Sequence, residues 1–228
     1  MGYIYEKSYC STTNERCLRK VPNKNIKDFN GSPLYHVTLK NLLKSKYIDN
    51  VVINTDSEEL KTDIRKHFGA NVQIRDRKQE ICGNYISMNK ILEDDIHSVE
   101  SDIYLQTHST NPLLKTETID RAIEKMISVL ERGENDSVFS VTKVQKRFYN
   151  ADGTPMNHDP KMLTTQHLKP IYEENSCFYL FTKESFKSNN GRIGVNPFMF
   201  EIDKIESTDI DEPEDFKIAQ VLYNITVN

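Results

Sequence analysis

No apolar run in this chain approaches the length of a membrane span, and its amino end carries no apolar core of the secretory kind. Close cysteine pairs are missing as well. Cys10, Cys17, Cys82 and Cys177 are scattered without zinc spacing, and a stapled disulfide framework is not expected in 228 residues. The plain expectation is free thiols in a reducing cytoplasm. The six histidines show no metal-ligand pairing by spacing either. A positive balance is absent: the formal net charge is −4, which argues against nucleic acid as the partner and leaves any anionic ligand small and local. Glycine is absent between Tyr3 and Asn30, which excludes a backbone-amide phosphate nest of the P-loop kind there. There is no internal repeat and no low-complexity tract.

What is present fits one α/β domain of ordinary size. A charged fraction of 28% against an apolar 37% gives a well-solvated surface over a full core. Alternating elements run along the chain. Residues 32–46 place Leu34, Val37, Leu39, Leu42 and Leu43 near helical spacing. The β-branched run 50–55 predicts a buried strand, 56–69 a helix with acids in its first turn and Gly69 at its end, and 70–74 a second strand. A helix over 85–96, a strand over 101–107, an amphipathic helix over 117–130 with Thr116 as its N-cap, and a strand over 136–142 follow. On that helix Ile119, Ala122, Ile123, Met126, Ile127 and Leu130 are expected to share a face. The rhythm then breaks over 143–172, where turn signals predict an excursion, a hairpin arm in outline. A strand over 176–182 and a closing helix over 213–225 complete the pattern. Such a β-α-β-α order predicts a mostly parallel sheet with helices on both faces.

In an open parallel sheet, ligands bind at the carboxyl ends of the strands. The polar residues there are Ser11 to Asn25 after the first strand, Thr55-Asp56-Ser57 after the second, and Gln106 to Ser109 after the third. Glu174 and Asn175 precede the strand over 176–182, and Asp209-Ile210-Asp211 precedes the last helix. Arg16, Arg19, Lys20 and Lys24 would clamp a polyphosphate by side chain, each charge-assisted bond being worth roughly 1.5–3 kcal/mol; a solvated basic loop would carry the same residues. In an extended segment Asp209 and Asp211 point to one side and Ile210 to the other, with Cα atoms roughly 6–7 Å apart. Two carboxylates so placed suit a magnesium ion. Asp211 with Glu214 also fits a helix N-cap and capping box, and the two readings are compatible. Gln106, Thr107 and Ser109 suit hydrogen-bonded reading of a base or ribose, or an ordinary loop. Asp56 reads as a cap for the next helix. His36 on a helix face and His67 at a helix end receive no role.

Together these segments resemble the CMP-sugar synthetases, most nearly the acylneuraminate cytidylyltransferase branch. The resemblance rests on "VPNKNIKDFNGSPL" (21–34), "IDNVVINTDSEEL" (48–60), "YLQTHSTNPLL" (104–114), "DSVFSV" (136–141), "YEENSCFYLF" (172–181) and "DIDEPEDFKIAQ" (209–220) in that order. It implies a three-layer, Rossmann-like nucleotide-diphospho-sugar transferase fold with a dimerisation arm over 143–172. It further implies a homodimer that uses Mg²⁺ to join CTP to a 2-keto-3-deoxy sugar acid of the sialic acid kind, releasing pyrophosphate. By the resemblance Arg16, Arg19, Lys24 and Asp209 are catalytic, and Lys20, Asn25, Gln106 and Ser109 line the nucleotide side. Gln166 and Asn175 face the sugar, and Asp209 with Asp211 holds the metal.

The departures are specific. Counting back from Pro22, the family's lysine position holds Arg19 and its arginine position Glu15, and a slip of one residue would recruit Arg16. The usual "LQPTSP" is "LQTHSTNP", with His108 added, and the glycine after Asn175 is Ser176. Two outcomes stay open: a variant clamp built from Arg16, Arg19 and Lys20 in an active enzyme, or weakened phosphate binding in a repurposed nucleotide binder or an enzyme for another sugar. His108, Asp209 and a metal-bound water are all open as general base.

Overall fold

The computed structural model describes residues 2–5 (backbone course only), 24–83, 85–161 and 164–227. Its elements are β1 (Gly2–Tyr5), β2 (Asp28–Phe29), β3 (Ser32–Pro33), α1 (Leu34–Leu43), β4 (Val51–Thr55), α2 (Glu58–His67), β5 (Val72–Asp76) and α3 (Met88–Ser98). There follow β6 (Tyr104–His108), α4 (Thr116–Glu131), β7 (Ser137–Val144), β8 (Ile171–Phe181), α5 (Lys183–Asn189), β9 (Pro197–Glu201) and α6 (Pro213–Val227). Seven strands make one sheet in the order β5-β4-β1-β6-β8-β7-β9. Every neighbour pair is parallel except the two that involve β8, which runs against both β6 and β7. The sheet is therefore mostly parallel, as the β-α-β-α rhythm requires.

Period-two alternation along the strands divides the core into two layers. Val51 and Ile53 pack with Leu39 and Leu42 of α1, Leu60 and Ile64 of α2, and Ile119, Ala122 and Met126 of α4. Val52, between them, points the other way, toward Ile91, Leu92 and Ile96 of α3 and Phe186 of α5. On α4, Val129 is buried where Ile127 is 36% exposed, because the 3.6-residue period carries position 127 off the face that 119, 122 and 126 define. Leu43 likewise turns outward from α1.

A third, smaller cluster matters most for the site. Phe29, Leu34 and Val37 at the entry to α1 pack on Ile210, Phe216 and Ala219 at the entry to α6. The Asn30-Gly31 turn closes the β2–β3 hairpin with positive φ at both residues, 54° and 91°, the type I′ geometry that this dipeptide favours. That hairpin fixes where α1 begins. A hydrophobic contact thus ties sequence positions near 30 to positions near 210.

Several local expectations are corrected. The N-cap of α4 is Lys115, and the Thr116 hydroxyl instead donates to the Asn41 carbonyl at 2.9 Å. Ser57, rather than Asp56, caps α2 by accepting from the Leu60 amide at 3.3 Å. At α6 the returning acid is Asp215, which accepts from the amides of Asp211 at 3.1 Å and Glu212 at 2.8 Å. Pro213 at the first helical position shifts the capping frame one residue past the Asp211–Glu214 pair. β8 begins at Ile171 and pairs with β7 out to Val144, so the excursion is shorter than 143–172 and leaves the sheet over 145–170. Part of it folds back through a bridge between Tyr149 and Pro155. Among the described residues no helix is long and apolar enough to cross a membrane.

Candidate active site

The rim at the carboxyl ends of β1, β4 and β6 collects residues far apart in sequence. Because β8 is antiparallel, its first half lies at the same rim: Thr107 pairs with Phe178, so Asn175 and Ser176 stand beside the end of β6. Ile210 enters from the other side, its amide donating to the Thr110 carbonyl at 3.0 Å.

Lys24 crosses to this segment. Its ammonium donates to the Ile210 carbonyl and lies 3.7 Å from Asp211 Oδ1. Ile210 is fully buried, and the acids flanking it stay at the surface, the alternation expected of an extended Asp-x-Asp. Asp209 meets solvent yet is crowded by protein. Withdrawal from bulk water raises its carboxyl above the ordinary aspartate value, and the Asp211 charge adds to this. A hydrogen bond from Thr110, the Lys24 ammonium and the Ile210 backbone act in the opposite direction. Two mutually repelling carboxylates at a surface, with one ammonium near them, are a donor set that a hard divalent cation fits. Asn25 joins the same group: its Oδ1 accepts from the Ser109 hydroxyl at 3.0 Å, while its carbonyl accepts from the Tyr35 amide at 3.1 Å.

A second group lies next to the first, centred on Gln106. This side chain is fully buried and accepts from Arg192 Nη1 at 2.7 Å. A guanidinium offers only donors, so Gln106 must turn its oxygen toward Arg192 and its amide nitrogen toward His108 Nε2, 3.0 Å away. The lone pair of His108 Nε2 is thereby engaged, which argues against His108 as the general base. Arg192 also donates to the Tyr179 hydroxyl at 3.1 Å and stacks 3.7 Å from the centre of that ring, with Glu174 at 4.0 Å. Burial pushes the Tyr179 hydroxyl up to about 12, so it remains a neutral donor, here toward Glu174 Oε1. Sequence reasoning missed Arg192. The available signal was an arginine between two glycines, Gly191 and Gly194, in the turn between α5 and β9.

Asn175 is committed locally: its amide nitrogen donates to Thr142 Oγ1 at 2.9 Å and its oxygen accepts from the Cys177 amide at 3.2 Å. These bonds hold a bulge in β8, where the register with β7 shifts and Ser176 takes φ 58°. That is the left-handed conformation a glycine would take without strain, so the backbone shape the resemblance implies is kept although the residue differs. Gln166 is on the arm, exposed; its carbonyl accepts from Gln145 at 3.1 Å, and no hydrogen bond joins it to Asn175. Cys177 is buried, and that burial, helped by Asp209 and Glu206, drives its thiol far up, so it is no nucleophile. Arg16, Arg19 and Lys20, the proposed clamp, lie outside the described residues. Of the named site residues, then, Lys24, Asn25, Ser109, Asp209 and Asp211 come together, Gln106 lies beside them, Asn175 borders them, and Gln166 is exposed on the arm.

The sheet order, the antiparallel β8 and this rim define a nucleotidyltransferase-type α/β fold, and comparison with known proteins agrees. Two solved structures match it over nearly the whole chain at 12% identity. One is a CMP:2-keto-3-deoxy-manno-octonic acid synthetase complexed with CTP (TM-score 0.66, 98% of each chain). The other is a 4-diphosphocytidyl-2C-methyl-D-erythritol synthase (TM-score 0.67, 97% of this chain and 96% of that one). A pseudaminic acid cytidylyltransferase of Campylobacter jejuni subsp. jejuni is 25% identical over 96% of this chain and 97% of its own. The family profile described as "Cytidylyltransferase" matches residues 19–226, and the chain belongs to that family of nucleotidyltransferases.

Proposed function

We propose that this enzyme transfers the CMP part of CTP to the anomeric hydroxyl of a nine-carbon 2-keto-3-deoxy sugar acid, sialic or pseudaminic acid in type. The observation that carries the reading is the meeting of Lys24 with the Asp209-Ile210-Asp211 segment, beside Asn25 and Ser109. In the reaction the anomeric oxygen forms a bond to the α-phosphorus, the bond from that phosphorus to the β-phosphate bridge breaks, and pyrophosphate leaves. The hydroxyl proton passes to solvent water as the new bond forms. Chemistry of this kind depends on positioning and charge neutralisation rather than on a covalent intermediate.

Lys24 supplies a fixed positive charge at the triphosphate, and Asn25 with Ser109 orients the nucleotide. Asp209 and Asp211 would hold Mg²⁺, which when bound neutralises phosphate charge. Arg192 and Gln106 line the sugar side. A nonulosonic acid is favoured over an eight-carbon acid because the pseudaminic acid relative aligns end to end. By contrast, the 3-deoxy-manno-octulosonate cytidylyltransferase of Francisella tularensis (26% identical) aligns over 75% of this chain and 61% of its own. The arm over 145–170 exposes Tyr149 and Met156, and we assign it to contact with a second copy in a homodimer.

The test is pyrophosphate release from CTP and Mg²⁺ across a panel of sialic, pseudaminic, legionaminic and octulosonic acids. Turnover with a nonulosonic acid, abolished by EDTA and reduced at least about 100-fold by Asp209→Ala, is expected. CTP binding without turnover on any member of the panel would instead leave a repurposed nucleotide binder.

A further inference from the structure

Where α1 meets α2, three side chains come together that the proposed reaction does not use. His36 Nε2 lies 2.6 Å from Asp63 Oδ2, and His67 Nδ1 lies 3.0 Å from Asp63 Oδ1. One donor atom from each of the three lies within 4.8 Å of the others, and among the described residues no other such group is found. Asp63 and His67 are one helical turn apart on α2, and His36 reaches them from α1, so tertiary packing alone makes the cluster. We propose that His36, Asp63 and His67 form a binding site for one zinc-class divalent ion, distinct from the all-oxygen pair at Asp209 and Asp211.

The donor chemistry selects the ion. Two imidazoles and one carboxylate suit zinc, cobalt or nickel far better than magnesium or calcium. Three protein ligands leave a fourth position for water in the tetrahedral arrangement zinc adopts. Bonds of about 2.0 Å put neighbouring donors about 3.3 Å apart, whereas His36 and His67 now face different oxygens of Asp63 and the three donors lie within 4.8 Å of one another, so the side chains must readjust around the ion. His67, whose side chain is 42% exposed, gives the ion a way in, and its Nδ1, also 3.1 Å from the Asp63 carbonyl, would exchange that contact for the ion.

The rest of the group is pre-set. His36 is 96% withdrawn from solvent and held edge-on by Tyr35 and Phe68, with ring centres 4.5 and 4.8 Å away. Its burial favours the neutral imidazole, the form that binds metal. The Tyr35 hydroxyl donates to Asp63 Oδ2 and so orients the carboxylate from outside, the supporting role that tunes metal ligands. Lys40, one turn along α1, sets an opposing charge in range, which weakens the site without occupying it. On binding, each imidazole ligates through the nitrogen that faces Asp63 and carries its single proton on the other ring nitrogen, a change of tautomer with no net loss of a proton from a neutral ring.

The experiment uses the full chain, stripped with EDTA, dialysed, and titrated with Zn²⁺ and Co²⁺ in excess Mg²⁺, which occupies oxygen-only sites. Calorimetry reads stoichiometry, and visible absorption of the Co²⁺ form reads the ligands. One ion per chain is expected, with the d–d bands of a four-coordinate N/O site and no thiolate charge-transfer band. His67→Ala should weaken binding at least tenfold. Tyr35→Phe, which keeps shape and fold, should weaken it about tenfold, and Asp211→Asn should leave it unchanged. Absence of binding, equal binding in the wild type and both cluster variants, a thiolate band, or loss of the ion on Asp211→Asn would each overturn the proposal. If His67→Ala does not fold, Tyr35→Phe decides.

Discussion

At Asp209 desolvation and neighbouring charges oppose one another, and its titration should report the balance. In the metal-free protein its carboxyl titrates above the ordinary 3.8, chiefly through desolvation and then through Asp211. The unfolded chain therefore loses this proton first as pH rises, and the folded state pays for a strained anion. Stability is undiminished below about pH 3.8 and falls as pH climbs from there to the raised value. Asp209→Asn removes the penalty: its unfolding free energy should equal that of the wild type at low pH and exceed it at neutral pH, read by urea titrations at both. The reverse ordering would show that Lys24 outweighs desolvation.

Arg192 invites a second test at this scale. It turns Gln106 and stacks on Tyr179 at once, and a lysine can do neither with the same geometry. Arg192→Lys should raise the KM for the sugar acid about tenfold while the KM for CTP stays put. Equal rises in both would place Arg192 on the nucleotide side.

At the scale of elements, β8 departs furthest from the regular pattern. It runs antiparallel to its neighbours, and its bulge at Ser176 re-aims Asn175 and Glu174 along the rim. A non-glycine residue at φ 58° carries strain of about 1 kcal/mol. Ser176→Gly should be neutral or stabilising by up to about 1 kcal/mol, whereas Ser176→Val, β-branched in the left-handed region, should destabilise by about 2 kcal/mol or more. Chemical denaturation of the pair measures the difference, and equal midpoints would mean the bulge relaxes. The helices show how much of this level is local. Residues 116–131 and 58–67 announce themselves by apolar period and charged ends. β9 and α5 do not: α5 is short, and the pattern of β9 is half-exposed, with nothing to set it apart from a loop.

For the molecule as a whole, the arm over 145–170 leaves the sheet carrying exposed Tyr149 and Met156, and α6 exposes Ile218, Val221 and Ile225. If the arm holds two copies together, sedimentation should give twice the chain mass, and deleting 148–157 should yield a monomer that still binds CTP. A full-length monomer would remove the arm from the reaction.

The sequence by itself determined the sheet's parallel half, the two helical layers and the Asp-x-Asp alternation, because each follows from periods of 2.0 and 3.6 residues or from turn chemistry written in neighbouring positions. Only the tertiary structure decided that Lys24 touches the Ile210 carbonyl, that Arg192 orients Gln106, and that His36 meets Asp63 and His67. These are pairings between distant segments, set by how the Phe29–Phe216 cluster and the α1–α2 contact pack. No local pattern encodes such a pairing, since the residues involved are ordinary lysines, arginines and histidines until packing gives each its neighbour.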